Sequence, residues 1–148
     1  MKNIFRYLKS YSTQPFEVDR LIVSAFLEIN QLQVLENHFL LEYSINENQI
    51  DEHTSLIDFI EIINTEIGVF DIEKLIELFE FVISPSDRII NGAIYTPNNI
   101  RAYIVNQTLD NRNINFQTIK IADISCGCSG FLYTACKELR QRTQNTFA

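Results

Sequence analysis

The residues best suited to chemistry lie in one stretch, IADISCGCSGFL, from Ile121 to Leu132. It holds a carboxylate (Asp123), two thiols (Cys126 and Cys128), two hydroxyls (Ser125 and Ser129) and two glycines (Gly127 and Gly130). Small side chains at 125, 127, 129 and 130 let a ligand approach the backbone closely. The run before it, TIKIADIS, alternates as a strand does. The run after it, GFLYTACKELRQR, is helical, with basic residues in its last turns, where they suit the helix dipole. Strand, small-residue loop and helix together form the arrangement with which α/β folds offer helix N–H groups to an anionic ligand. No Gly-Lys-Ser/Thr follows, so this is not a phosphate-binding P-loop. A dinucleotide fingerprint would need glycine at 129 and 132, where Ser129 and Leu132 stand. Asp123 can cap the loop's own N–H groups.

The thiols do not read as a disulfide framework or a zinc site. There are three cysteines, with Cys136 as the third, all in the last 23 residues. An odd, clustered set pairs poorly. Zinc sites prefer paired ligands such as C-x2-C. Here the pair is C-x-C, and His38 and His53 are far off in sequence. No metal site is expected.

ADISCGCSGFL is similar to the first motif of adenine-specific (N-6) DNA methyltransferases, written D-P-[AS]-C-G-[ST]-G-x-[FL]-L. Asp123, Ser125, Cys126, Gly127, Phe131 and Leu132 match in place. Upstream, NGAIYTPNNIRAYIV resembles the family's preceding G-x-x-Y-T-P turn and helix, matching at Gly92, Tyr95, Thr96 and Pro97. The order agrees, as does the gap of 25 residues between Pro97 and Asp123. Three positions depart from the pattern: Ile124 replaces the proline, Cys128 the Ser/Thr, and Ser129 the second loop glycine. If position 129 needs a positive φ, a serine there is strained.

The resemblance implies S-adenosylmethionine as cofactor, bound by Tyr95, Thr96, Pro97, Asp123, Ser125, Cys126, Gly127, Cys128, Ser129, Gly130 and Phe131. The loop backbone would lie along the methionine part. The Thr96 hydroxyl and nearby N–H groups would face the carboxylate, and Asp123 would accept from the ammonium. Tyr95 and Phe131 serve equally well as core aromatics. The resemblance also implies DNA as the partner of the complete enzyme, with specificity or restriction subunits of a restriction-modification system beside it. Adenine methylation needs a downstream Asn-Pro-Pro-Tyr/Phe motif to hold the flipped base. The chain has none, so no catalytic residue is assigned. It reads as the N-terminal portion of such an enzyme, expected to be inactive alone. A non-enzymatic helical interaction module with a residual methyltransferase segment is the alternative, and an RNA or protein methyltransferase a further one.

The elements that must position this loop divide the chain in two. Residues 1–87 carry five Lys/Arg and sixteen Asp/Glu, a net of −11; residues 88–148 carry seven and three, a net of +4. The acidic front is a poor nucleic-acid surface. It reads as a bundle of amphipathic helices. FEVDRLIVSAFLEINQL follows Pro15 with apolar residues at 18, 21, 22, 25, 26 and 29. SLIDFIEIINTEIG has them at 56, 59, 60, 63 and 67. Gly68 suits a left-handed helix end. Asp71 suits an N-cap for the next helix, which Ser84-Pro85 would stop. Residues 37–50 fit helix or strand. After Pro85, Thr96-Pro97 reads as an N-cap with proline at the first helical position, followed by a helix with apolar residues at 100, 103, 104 and 105. The expected fold is a mainly α N-terminal helical domain over 1–87, then over 88–148 the start (helix–strand–loop–helix) of an α/β Rossmann-like methyltransferase domain, with one strand near 118–124. No apolar run is long enough to cross a membrane and the N-terminus has no signal-peptide pattern, so a cytoplasmic location is expected.

Overall fold

The structure, a computed structural model, describes residues 1–34, 36–82, 96–110, 114–116 and 118–145. They form helices α1 (Lys2–Tyr11), α2 (Pro15–Ile29), α3 (His38–Tyr43), α4 (Ile50–Glu66), α5 (Ile72–Val82), α6 (Asn98–Leu109) and α7 (Gly130–Asn145). The chain separates into two compact units, Met1–Val82 and Ile83–Ala148.

The first unit is helical, as its periodicity predicts. In α2, Val18, Leu21, Ile22 and Ala25 are buried; in α4, Leu56, Phe59 and Ile63 are. The remaining stripe positions, Phe26, Ile29, Ile60 and Ile67, are partly buried against the same core. Gly68 takes φ +75° after α4, the left-handed end a side chain would resist. The Asp71 carboxylate accepts from the Lys74 N–H at 2.9 Å and so caps α5. The ambiguous stretch 37–50 resolves into the short helix α3, because Asn37 Oδ1 accepts from the Leu40 N–H at 3.1 Å. Buried Ser24 then ties this region to α2: its hydroxyl donates to the Tyr43 carbonyl at 3.0 Å and accepts from the Ile45 N–H at 2.9 Å. Glu66 meets the amino terminus at 2.6 Å, and that bond holds its carboxyl below the usual range. The expected stop at Ser84-Pro85 lies outside the described residues.

The second unit packs α6 against α7 around Val105, Leu109 and Ala135, with Ile114, Phe116, Ile119, Phe131 and Leu139 partly buried on them. Arg142, near the end of α7, clamps the end of α6. It donates to the Leu109 carbonyl at 3.2 Å and to Asn106 Oδ1 at 2.9 Å, and pairs with Asp110 at 2.8 Å. A cation beside the last carbonyls of a helix is favourably placed.

Two expectations fail in this unit. The strand near 118–124 is not formed: residues 119–123 make no ladder, and no strand occurs among the described residues. A strand is defined by its partner, and no described segment lies alongside to accept its hydrogen bonds. The Rossmann-like part of the fold class is therefore not seen. Second, Thr96 does not cap α6. The helix starts at Asn98, with Pro97 as its N-cap at ψ +145° and no side-chain cap bond. The extended ψ keeps Pro97 outside the helix. The helix expected there is formed, and its buried face is Arg101, Val105 and Leu109, whereas Ile100, Tyr103 and Ile104 are exposed.

Candidate functional site

The loop from Asp123 to Gly130 is held by its own short-range bonds. Asp123 Oδ1 accepts from the Ser125 N–H at 3.0 Å. The capping role is thus present in the geometry, and the second carboxylate oxygen stays clear of described donors. The Ser129 N–H donates to the Cys126 carbonyl at 2.7 Å, closing a turn with Gly127 at φ +51° in its first central position. That position in such turns asks for glycine. Ser129 follows at φ +61°, the left-handed conformation the sequence raised for it. Its carbonyl then accepts from the Tyr133 N–H at 2.9 Å, the first bond of α7. Ser125, Cys126, Gly127 and Ser129 are exposed, Cys128 is half-buried and Gly130 is buried.

Gly130 does not relieve the turn, since its φ is not left-handed. It is needed for space. A Cβ there would come within 2.3 Å of Arg101 Nη1. Arg101 lies in the α6–α7 interface with 5% of its surface exposed. Its Nε donates to Thr134 Oγ1 at 3.0 Å, and Nη2 reaches Asn98 Oδ1 at 3.4 Å. The Thr134 hydroxyl in turn donates to the Gly130 carbonyl at 2.9 Å. Arg101 and Thr134 were not among the residues singled out by sequence. The available signal was a basic residue at i, i+4, i+8 spacing with Val105 and Leu109, and a glycine opening the facing helix.

A cavity of about 510 Å³ opens between α6, α7 and residues 119–124, lined mainly by apolar side chains such as Ile104, Val105, Ile119, Ile121 and Leu132. Of the residues assigned to the cofactor, Asp123 and Phe131 line it. Thr96, Pro97, Ser125, Cys126, Gly127, Cys128, Ser129 and Gly130 do not. Phe131 is also partly buried in the small core, which agrees with its role as a packing aromatic. Tyr95, like Gly92, lies outside the described residues. The three cysteines are free thiols. Among the described residues no group of three or more His, Cys, Asp or Glu could hold a metal, and no helix is long and apolar enough to cross a membrane.

Comparison with known proteins gives no family: no protein-family model matches the chain, and no match is found among curated proteins or solved structures.

The left-handed serine makes a direct prediction. Ser129→Gly is expected to stabilise the second unit by about 1 kcal/mol, because glycine takes a positive φ without the side-chain penalty. Ser129→Ala, which keeps the Cβ, should give no such gain. Urea denaturation of the three proteins tests this; equal gains would locate the effect in the hydroxyl instead of the backbone.

Proposed function

We propose that the chain is the N-terminal portion of an adenine-specific DNA methyltransferase of a restriction-modification system, and that residues 123–131 form its S-adenosylmethionine loop. One observation carries the reading: φ is positive at Gly127 and at Ser129, the two positions aligned with the glycines of the methyltransferase motif. Two left-handed residues two apart, leading straight into a helix N-terminus, expose backbone to a ligand. Asp123 keeps one carboxylate oxygen available for the cofactor's ammonium. Exposed Ile100, Tyr103, Ile121 and Ile124 favour a second reading, in which the unit docks on another polypeptide without binding cofactor.

Under the first reading the chain alone does not methylate adenine, since it supplies no group to orient the base. S-adenosylmethionine titrated calorimetrically into the chain should show weak binding. Asp123→Ala should weaken it by about tenfold or more, the worth of a charge-assisted hydrogen bond. Cys128→Ser should change it little, because only the backbone at 128 is used. Binding abolished by Cys128→Ser and untouched by Asp123→Ala would remove the cofactor assignment. Absence of any binding would favour the docking reading.

A further inference from the structure

We propose that Phe16, Phe39 and Tyr43 form a docking surface on the first unit for a basic segment of a partner protein, one that presents Lys or Arg side chains. The surface lies wholly on the first unit, so the inference does not depend on what the second unit binds. The three rings make one ridge: Phe16 meets Tyr43 edge-on with centroids 5.2 Å apart, and Phe39 tilts onto Tyr43 at 4.8 Å. Aromatic rings in mutual contact ordinarily belong to a core. Here Phe39 is 63% exposed and Phe16 43%, and none of the three is among the side chains that build the helical core. Nor does the fold need them. Helix α3 is held by the Asn37 cap and by the bonds from Ser24 to the backbone of Tyr43 and Ile45.

The surrounding charge specifies what covers the ridge. From residue 21 to residue 73 the sequence carries eleven Asp or Glu and no Lys or Arg. Glu42 lies beside Phe39, one turn on along α3. Glu36, Glu42 and Glu47 are exposed, and no described Lys or Arg pairs with them. Arg20 already uses one end of the ridge: its guanidinium carbon stands 5.9 Å from the Phe16 ring centre, while Nη1 pairs with Glu52 at 2.9 Å. An arriving Lys or Arg repeats that arrangement at the other end, over the Phe39 ring with Glu42 beside it. Other occupants fit less well. A wholly apolar partner would bury unpaired carboxylates. Nucleic acid or an anionic membrane meets like charge. A second copy placed on the same face sets two acidic units together.

The test titrates the whole 15N-labelled chain with an octapeptide of alternating arginine and leucine, against the same peptide with glutamate in place of arginine. Saturable shifts of the α3 amides and of Phe16 are expected with the arginine peptide alone, weakening as sodium chloride rises. Phe39→Ser should keep the helical circular dichroism, since the ring lies outside the core, and lose about three- to tenfold in affinity. Phe39→Tyr should bind as the parent does. Glu42→Gln should lose about threefold. Asp58→Asn, which removes an exposed carboxylate on α4, should change nothing. Where Phe39→Ser fails to fold, Glu42→Gln against Asp58→Asn decides. Equal losses from those two, or shifts spread over the whole acidic unit and unmoved by Phe39→Ser, would show general charge attraction only and overturn the proposal. Equal binding of the glutamate peptide overturns it, as does the absence of a saturable shift with either peptide. Shifts at α3 that follow the concentration of the chain alone, with a doubled mass in sedimentation, would assign the face to a second copy and overturn it too.

Discussion

Phe59→Ala is expected to destabilise the first unit by about 3–5 kcal/mol, the usual cost of removing a buried phenylalanine and leaving a cavity. Phe59 is fully buried on α4 and stacks on Tyr7 of α1, ring centroids 5.6 Å apart. Helix α4 packs on both α1 and α2, so the cavity would open where three helices meet. Tyr7 adds to the cost, because its hydroxyl donates to the Ser55 carbonyl at 2.9 Å and so cannot swing in to refill the space without breaking that bond. A domain of this size holds about 5–15 kcal/mol of stability in total, so the loss is a large share of it. Ile57→Ala is the control on the same helix: Ile57 is 48% exposed and should cost about 1 kcal/mol or less. Amide hydrogen exchange across α1, α2 and α4 reads the effect locally. Similar loss of protection in both variants would show that Phe59 is not the centre of this core.

Helices α2 and α4 of the first unit were legible because each carries its own apolar stripe, and a stripe at 3.6-residue spacing needs only some neighbour to cover it. Gly68 and Asp71 were legible because capping is local chemistry, decided by the residue and its backbone. The stretch HFLLEY was not, since six residues bear too little pattern; the Asn37 side chain decides it. The second unit shows where local reasoning ends. TIKIADIS alternates as a strand should, but alternation specifies a face and not a partner, and without a partner segment there is no ladder. In α6 the apolar residues at 100, 103, 104 and 105 announced the helix but not which side is covered; α7 covers the side carrying Arg101, Val105 and Leu109. No rule for a single helix predicts that an arginine goes inside. It fits because Gly130, 29 positions later, has no side chain. Within the loop, the backbone demand at 127 and 129 was readable from residue type and motif position, whereas the reason for glycine at 130 needed the second helix.

Thr134→Val is expected to destabilise the second unit by about 2–3 kcal/mol, while Thr134→Ser stays within about 1 kcal/mol of the parent. Valine nearly matches threonine in shape, so packing in the α6–α7 interface is little changed. The loss comes from Arg101 Nε, which donates to the Thr134 hydroxyl at 3.0 Å and would be left facing a methyl group. A charged donor stranded in a buried place costs more than the bond itself contributes. The Gly130 carbonyl also loses the hydroxyl at 2.9 Å, but it remains within the helical ladder and suffers less. Serine keeps the oxygen and loses only a methyl. A double-mutant cycle separates the two causes: in an Arg101→Met background, Thr134→Val should cost less than about 0.5 kcal/mol, because no donor is left to strand. Urea unfolding of the four proteins gives the coupling directly. If Thr134→Val costs the same with and without Arg101, the bond from Nε to the Thr134 hydroxyl is not what the valine removes.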